Sequence, residues 1–300
     1  MTKPLISVCV PTYNQTRFLE RLLISLSEQD FNDYELIVSD DSTTDDVGNM
    51  VCVQYGHLFQ GRLKYQRNTP GLGSPRNWNE AISLAESDII KLIHHDEFFS
   101  FPHSLRRFYE ICISQGPGSI VFSGGFTLDH GRQETKNHSI TPDQLNTIRS
   151  KPELLLFANL LGSPGGLCYM RNDETYDVHL KWLVDVEFYI RLLKKNKLFY
   201  IDEPLVSTVI NADHNITNAC KDNRNVEIPE CVHIYYKFSR LGFVNLMNAF
   251  WYLRNLTRLM YVYGIFSSAE LASIPLQGKW PFLFKMAVAS ARVKYMLRKT

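Results

Sequence analysis

The sequence predicts an α/β domain built on a mostly parallel sheet, followed by a C-terminal helical extension. Short apolar runs typical of buried strands alternate with amphipathic helical patterns through the first 220 residues. Strands and helices that alternate in this way form βαβ crossovers, which produce parallel sheets covered on both faces. After about Cys220 the strand patterns stop, and aromatic segments with helical spacing continue to the end. We therefore predict two parts, residues 1–220 and 221–300.

The individual elements follow from the spacing of apolar residues. Residues 5–10 form an apolar run that Pro11 closes, and four leucines between positions 19 and 26 then share one helical face. The other predicted strands are 34–39, 62–66, 88–93, 119–123, 167–170 and 198–201, and the other predicted helices are 74–86, 101–114 and 184–194. Pro75 is compatible with a helix because proline is tolerated in the first turn. Residues 124–142 are polar and are predicted to be a loop.

Composition excludes several classes of protein. The 32 basic and 31 acidic residues give a net charge of +1. Proteins dedicated to nucleic acids present a strongly basic surface, so we expect no nucleic-acid partner. The six cysteines show no CxxC pair, the N-terminus lacks the apolar core of a signal peptide, and no segment has 18 uninterrupted apolar residues. We expect a reduced, cytoplasmic protein without disulfides.

Polar clusters follow three of the predicted strands. They are residues 11–14 (PTYN), 40–45 (DDSTTD) and 94–97 (HHDE). Each cluster alone is typical of a turn, because Asp, Asn and Ser favour loops after strands. In an open parallel sheet, however, ligands bind outside the carboxyl ends of the strands. Three clusters at that edge therefore predict a binding site.

The order of these motifs resembles glycosyltransferase family 2, whose members have the GT-A fold. The run SVCVPTYN followed by IVSDDSTTDD resembles the family's Pro-x-Tyr-Asn turn and its Asp-Asp-x-Ser-Thr-Asp loop. The segment PRNWNEA with the later LIHHDE resembles its Arg-Asn helix and Asp-x-Asp metal motif, and WLVDVEFYIRLLKKNK resembles the helix that carries the catalytic base. The resemblance covers residues 5–217.

This resemblance implies an activity and its participants. The protein would be an inverting transferase that moves a sugar from a nucleotide-diphosphate donor, a UDP-sugar first of all, to a hydroxyl of a glycan or of a polyprenyl-diphosphate-linked saccharide. The pathway implied is bacterial surface polysaccharide synthesis. A nucleoside diphosphate is an anionic leaving group, which a divalent cation such as Mn²⁺ or Mg²⁺ stabilises through oxygen ligands. A sugar hydroxyl is a weak nucleophile, so a positioned carboxylate must take its proton.

The resemblance also implies roles for individual residues. Nucleotide binding would fall to Pro11, Thr12, Tyr13, Asn14, Asp40, Asp41, Arg76, Asn77 and His95. Asp96 and His214 would hold the metal, and Asp185 would deprotonate the acceptor. Trp182 and Gly165 would lie on the acceptor side, although a packed aromatic and a simple turn are the commoner fates of such residues.

The sequence departs from the family pattern at two places. His94 stands where the metal motif has its first acid, and this histidine could ligate the metal, bond the ribose or simply pack. Val184 precedes Asp185 where the family has a second acid. Glu187 is therefore an alternative base. Asp185 could instead be an acid at the start of a helix, where the helix dipole favours a negative charge. Two other functions remain open: a non-catalytic nucleotide- or glycan-binding relative, and a metal-dependent hydrolase using His94, His95, Asp96 and His214.

The last 30 residues differ in charge from the rest. Residues 271–300 contain six basic residues and no acid, so this segment carries +6 and leaves −5 on residues 1–270. On a helical wheel one arc is apolar, with basic residues on both flanks; the arc consists of Phe282, Leu283, Met286, Val293, Met296 and Leu297. Such a helix can lie on an anionic membrane, here the cytoplasmic face of the inner membrane, or pack on the catalytic domain.

Overall fold

The computed structural model describes residues 3–130, 132, 134–212, 216–275 and 282–297. Its strands are β1 Ile6–Thr12, β2 Tyr34–Asp40, β3 Leu63–Arg67, β4 Ile89–Leu92, β5 Glu97–Phe99, β6 Ser119–Asp129, β7 Glu134–His138, β8 Leu167–Met170 and β9 Lys197–Ile210. These strands form one sheet in the order β3-β2-β1-β4-β8-β6-β9-β5, with β7 paired to β6.

The helices within the described residues flank this sheet and then continue beyond it. They are α1 Thr16–Ser27, α2 Asp46–Gly48, α3 Arg76–Ser83, α4 Ser104–Gln115, α5 Pro142–Ser150, α6 Val184–Lys195, α7 Thr217–Cys220, α8 Arg224–Arg240, α9 Leu246–Val262, α10 Ser268–Ala272 and α11 Phe282–Leu297. A π-helical segment at Asn49–Gln54 and 3₁₀ turns at Gly56–Phe59, Pro152–Leu156 and Pro164–Gly166 complete the connections.

The sheet is parallel in its first half and mixed in its second. Strands β1, β2, β3 and β4 pair in parallel, as the βαβ pattern of the sequence predicts. The pairs β4–β8, β6–β8, β6–β7 and β5–β9 are antiparallel, and only β6–β9 returns to parallel pairing. The sheet is therefore less parallel than the sequence suggests, because β8 inserts between β4 and β6 in the opposite direction.

The prediction of a loop at 124–142 is wrong. Strand β6 continues to Asp129, and β7 pairs with its far half. Two register shifts around Gly124 and Gly125 interrupt the alternation of side chains, and beyond them the strand is only half-buried. The apolar periodicity that reveals a strand is therefore lost there. A capping box at Thr141 and Gln144 begins α5 in what remains of the predicted loop.

Two apolar clusters cover the two faces of the sheet. Cys9 of β1 belongs to one cluster, whereas its neighbours Val8 and Val10 belong to the other, as the alternation of a strand requires. The C-terminal helices extend the first of these clusters, since Ile234, Phe238 and Tyr252 pack into it. A third cluster joins α8 and α9 to α11.

Buried charges also join α8 to α6. Glu187 on α6 is fully buried and pairs with Arg191 at 2.8 Å and with Lys237 of α8 at 2.9 Å. Lys237 and His233 both lie 2.8 Å from Asp177, in the loop before α6. Although burial opposes it, the hydrogen bonds from His233 and Lys237 hold the pKa of Asp177 well below its usual range. The extension is thus fixed to the catalytic half through ion pairs whose carboxylates are buried.

Helix α11 packs against the rest of the protein through a face other than the apolar arc predicted from the helical wheel. Phe284, Ala287, Val288 and Ala291 are its buried side chains. The predicted apolar arc lies on the surface, with Phe282, Met286, Val293, Met296 and Leu297 all exposed. Leu283 of the arc, like Lys279, Arg298 and Lys299, has a side chain outside the described set. Within the described ranges, no helix combines the length and apolarity that crossing a bilayer requires.

We predict that Glu187→Gln lowers the free energy of unfolding by about 3 kcal/mol, because it leaves Arg191 and Lys237 without their shared buried partner. Urea denaturation followed by circular dichroism measures this change. Glu86→Gln is the matched control, since Glu86 is 62% exposed and pairs with Lys64 at 2.5 Å. We expect a loss within about 0.5 kcal/mol for this surface pair. Equal losses in the two variants would contradict the structural role of Glu187.

Candidate active site

The ends of β1 and β2 are held together by the beginning of α3. The parallel register aligns Thr12 with Asp40, and the amide of Asp41 donates to the carbonyl of Thr12 at 3.0 Å. The buried side chain of Asn77 donates to the carbonyls of Thr12 at 3.3 Å and Ser39 at 3.1 Å. Two of the three predicted polar clusters therefore meet at one edge of the sheet, with Asn77 as the bridge between them.

Asp40 and Asp41 are buried and use their carboxylates to hold this edge. Asp40 accepts hydrogen bonds from the Ser42 amide at 2.8 Å and from the Tyr65 hydroxyl at 2.7 Å. Asp41 accepts from the Asn68 side chain at 2.8 Å and from the Gly73 amide at 2.7 Å. Burial and the bond to Asp40 raise the pKa of Tyr65. These two acids thus shape the loops around the predicted nucleotide site.

Other residues at this edge face solvent. Tyr13 is 52% exposed, and Arg76 is exposed at the first residue of α3, whereas Pro11 and Thr12 are buried in β1. Asn14 adopts a φ of 54° and is fixed by bonds from its amide to Ser42 at 2.8 Å and from the Thr43 amide to its own side chain at 3.1 Å. An exposed aromatic ring can stack on a nucleobase, and a helix N-terminus that carries a cation can bind phosphates.

The third polar cluster joins this edge through aromatic packing. The ring of His94 lies 4.3 Å from the ring of Trp78 on α3, which in turn lies 5.1 Å from Tyr176. Of the three roles open to His94, the structure thus shows packing. Its buried Nε2 has no hydrogen-bond partner among the residues described. His95 and Asp96 follow directly, and the carbonyl of Asp96 accepts a bond from the Val209 amide at 3.0 Å.

Glu97 ties this cluster to the predicted acceptor loop. Its carboxylate is 1% exposed and accepts bonds from the His94 amide at 2.7 Å and the Gly165 amide at 3.0 Å. Lys91 of β4 donates to the carbonyl of the same Gly165 and lies near Glu97. Burial lowers the pKa of Lys91 to about 8. Both backbone polar groups of Gly165 are therefore held by oppositely charged buried side chains.

Asp185 lies at the first turn of α6, beyond this loop. Its carboxylate accepts bonds from the Asn159 side chain at 2.8 Å and the Val186 amide at 2.8 Å. Asn159 also donates to the carbonyl of Gly162 at 2.8 Å, which fixes Asp185 relative to the loop that contains Gly165. Burial raises the pKa of Asp185 to about 6, and repulsion from Glu97 acts in the same direction. A carboxylate with this pKa is ionised at neutral pH yet basic enough to accept a proton.

Glu187, the alternative base suggested by the sequence, is held in buried ion pairs. Glu187 is buried between Arg191 and Lys237, and ion pairs occupy both of its oxygens. Asp185 instead accepts its hydrogen bonds from an amide side chain and a backbone amide, and it has no ion-pair partner among the residues that the structure describes. The structure therefore separates two acids that lie on the same helical turn.

A cation would find few protein ligands here. Among the described residues, no group of three His, Cys, Asp or Glu side chains could hold a metal ion. His214 lies outside those residues. Mg²⁺ and Mn²⁺ are nevertheless bound through one or two carboxylates together with substrate phosphates. The donor set at residues 94–96 fits a cation of that kind, because Asp96 supplies a carboxylate and His94 has a buried Nε2 without a hydrogen-bond partner among the described residues.

Sequence reasoning missed four residues that build the site. Lys91 lies in an apolar strand, and Asn68 and Asn159 lie in loops. Glu97 is the last residue of the HHDE cluster, and the family motif predicts no separate role for it. A charged residue inside an apolar strand is the one signal that could have pointed to Lys91, because an uncompensated buried ammonium is costly. The two asparagines act through contacts across the fold, which carry no local pattern.

Comparison with known proteins identifies what this arrangement resembles. The model of glycosyl transferase family 2 matches residues 7–176, more than half of the chain. An uncharacterized protein, MT1568, of Mycobacterium tuberculosis is 26% identical over 242 residues, which are 75% of this chain and 73% of that one. The abequosyltransferase RfbV of Salmonella typhimurium is 38% identical over 95 residues, 31% of this chain and 28% of RfbV. The chain thus spans less than a third of that transferase.

Solved structures share the fold over nearly the whole chain. The 1–349 fragment of TarS from S. aureus, determined with UDP-GlcNAc, covers 98% of this chain and 92% of its own at 18% identity, with a TM-score of 0.57. The mannosyltransferase PcManGT of Pyrobaculum calidifontis, determined with GDP-Man and Mn²⁺, covers 100% and 89% at 16% identity, with a TM-score of 0.58. These similarities confirm the GT-A fold that the sequence motifs predict.

We predict that Gly165→Ala disrupts the site whereas Gly166→Ala does not. A Cβ on Gly165 would lie 2.6 Å from the Glu97 carboxylate, but one on Gly166 would meet its nearest atom at 3.6 Å. Forcing apart such a buried contact costs about 1–3 kcal/mol. Urea denaturation of the two variants measures the difference, with a loss within about 0.5 kcal/mol expected for Gly166→Ala. Similar stabilities would show that Glu97 moves freely, against the role described for it.

Proposed function

The chain belongs to glycosyl transferase family 2, and from this premise we propose what it does. It moves a sugar from a nucleotide-diphosphate donor to a hydroxyl of a glycan or lipid-linked saccharide, and the reaction inverts the configuration at the anomeric carbon. The observation that carries this proposal is Asp185, a carboxylate with a pKa of about 6 that is tied through Asn159 to the loop beside Glu97. We place the reaction in bacterial surface polysaccharide synthesis, because relatives of this chain include the abequosyltransferase RfbV and the poly(ribitol-phosphate) β-N-acetylglucosaminyltransferase TarS.

The donor in this proposal lies at the edge formed by β1, β2 and α3. The exposed ring of Tyr13 would stack on the base, and Arg76 with the α3 N-terminus would face the phosphates. The buried pair Asp40 and Asp41 would act by fixing the loops that line the pocket. UDP is our first choice of nucleotide because a structure of the similar fold of TarS holds UDP-GlcNAc. GDP is the second choice, since PcManGT holds GDP-Man.

Asp96 would hold a divalent cation, Mn²⁺ or Mg²⁺, together with the donor's phosphate oxygens. When bound, the cation would neutralise the negative charge that develops on the departing diphosphate. The cation in the PcManGT structure is Mn²⁺. We keep His214 as a second candidate ligand from the sequence.

The proposed reaction needs one proton transfer and one displacement. Asp185 takes the proton of the acceptor hydroxyl, and that oxygen forms a bond to the anomeric carbon. The bond from this carbon to the diphosphate breaks, and the nucleoside diphosphate leaves with the electron pair. A nucleophile and a leaving group on opposite faces of the carbon give inversion. The two hydrogen bonds that Asp185 accepts leave it further lone pairs for the hydroxyl proton.

We further propose that α11 holds the protein at an anionic membrane surface. Its exposed apolar side chains, Phe282, Met286, Val293, Met296 and Leu297, lie beside the exposed cations Lys285, Arg292 and Lys294. A helix packed only for stability would bury its apolar arc, whereas an interfacial helix presents it with basic flanks. A lipid-linked acceptor would be reached from this position.

We predict that Asp185→Asn lowers kcat by about 10²–10⁴-fold, because the base is lost, while the affinity for UDP or GDP stays unchanged. Nucleotide release from a panel of nucleotide sugars with Mn²⁺ measures turnover, and calorimetry measures binding. In the wild type we expect kcat to rise with pH through a midpoint near 6. Asp143→Asn, which removes an exposed acid from the first turn of α5, is the control and should retain full activity.

Either of two results would contradict this proposal. A wild type that binds nucleotide without turnover supports the non-catalytic alternative. An Asp185→Asn variant that loses no more activity than Asp143→Asn would show that Asp185 is not the base and only stabilises the start of its helix.

The membrane proposal predicts that the wild type sediments with vesicles of phosphatidylcholine and phosphatidylglycerol, but less with phosphatidylcholine alone. We expect the double variant Phe282→Glu and Val293→Glu to lose most of this binding, because it places charge on the apolar arc. The double variant Val53→Glu and Ile113→Glu alters two equally exposed apolar residues elsewhere and should bind as the wild type does. Equal sedimentation of all three proteins would refute the proposal.

A further inference from the structure

A cavity of about 420 Å³ opens between Asp185 and the C-terminal helices. One wall comes from the catalytic half and includes Asn159, Trp182 and Asp185. The opposite wall comes from α7 to α9 and the residue after α9, and it includes Glu227, Arg258, Leu259, Val262 and Tyr263. This volume lies within the range of roughly 300–1,000 Å³ that small-molecule sites occupy.

The opposite wall is fixed relative to Asp185 by one buried acid. Glu230 of α8 accepts hydrogen bonds from the backbone amides of Lys181 at 2.6 Å, Trp182 at 3.1 Å and Leu183 at 2.8 Å. These amides lie directly before α6, so Glu230 holds the segment that places Trp182 and the first turn of the helix. Lys237 of the same α8 reaches Glu187 at 2.9 Å. The two walls therefore form one rigid cavity.

The lining has the mixed chemistry of a saccharide site. Leu155, Leu259 and Val262 offer apolar surface to the C–H face of a sugar ring, and Trp182 adds an aromatic one. Asn159 and Asp185 offer hydrogen-bond groups to hydroxyls. The lining contains three acids, Asp185, Asp222 and Glu227, and two cations, Lys221 and Arg258, so it disfavours an anionic ligand.

Most of this lining lies beyond the residues that the family model matches. The family match ends at residue 176, whereas Trp182, Asp185 and the whole wall from α7 to α9 lie beyond it. The edge that we assign to the donor lies inside the match. Asp185 and the wall opposite it thus both lie C-terminal to the matched residues.

We propose that this cavity binds the acceptor as a neutral pyranose, and that α9 selects which acceptor enters. This proposal rests on the proposed function, since it places the acceptor hydroxyl at Asp185. The C-terminal region is then half of the active site and not an appended unit. Val262 and Arg258 are selecting residues in this scheme, because they contact the acceptor without taking part in the proton transfer.

The test measures saccharide binding and nucleotide binding separately. Saturation-transfer NMR with the methyl glycosides of glucose, galactose, mannose, rhamnose and N-acetylglucosamine, in the presence of UDP and Mn²⁺, gives a Kd for each sugar. Calorimetry gives the Kd of UDP and GDP. We expect Val262→Trp, which fills the cavity from its α9 wall, to raise the pyranoside Kd about tenfold or more and leave nucleotide affinity unchanged. Arg258→Ala, which removes a guanidinium from the same wall, should weaken pyranoside binding in the same direction and leave nucleotide affinity unchanged.

The control and the contrary outcomes are distinct. Ile113→Trp alters a β-branched residue on α4 that is 54% exposed, close to the 59% of Val262, and should change neither affinity. Unchanged pyranoside binding in both Val262→Trp and Arg258→Ala overturns the cavity proposal. So does a wild type that binds nucleotide but none of the five glycosides. A wild type that binds neither UDP nor GDP instead overturns the proposed function itself.

Discussion

The buried carboxylate of Glu97 is the interaction on which the geometry of the site depends. A charge with almost no contact with water must be compensated, and here the His94 amide, the Gly165 amide and the nearby Lys91 ammonium supply the compensation. Because the same group holds the end of β4 and the loop at Gly165, the predicted metal motif and the acceptor side cannot move independently. The absence of a side chain at position 165 is what lets the carboxylate approach.

A second set of buried charges fixes the C-terminal helices. Glu230 binds the segment before α6, and Lys237 connects Asp177 with Glu187. Ion pairs of this kind contribute less to net stability than to a defined arrangement, because their desolvation offsets much of their attraction. Their effect here is positional, because they fix α8 relative to the first turns of α6, where Asp185 lies. The division at residue 220, drawn from the change of pattern in the sequence, is therefore not a division in packing, since Ile234 and Phe238 share the core of the catalytic half.

The acids of this protein have different functions because their surroundings differ. Asp40, Asp41 and Glu97 are buried and surrounded by hydrogen-bond donors, and Glu187 is neutralised by two cations. Asp185 instead lies on a cavity wall, and burial raises its pKa to about 6. Environment, not residue type, separates structural carboxylates from the one suited to accept a proton.

Patterns local to the sequence were enough to predict the family, the GT-A fold, the first half of the sheet and the helical C-terminal part, because strand and helix periodicity and the order of the motifs can be read along the chain. The sequence predicted Asp185 as the catalytic base but left Glu187, about half a helical turn away, as an alternative. It misjudged residues 124–142, where the paired glycines and a half-exposed strand remove the apolar signal. The partners of Lys91, the bridging amides of Asn77 and Asn159, the face through which α11 packs and the cavity beside Asp185 were decided only by tertiary structure. Each of these depends on residues far apart in sequence, and no local pattern encodes which distant groups will meet.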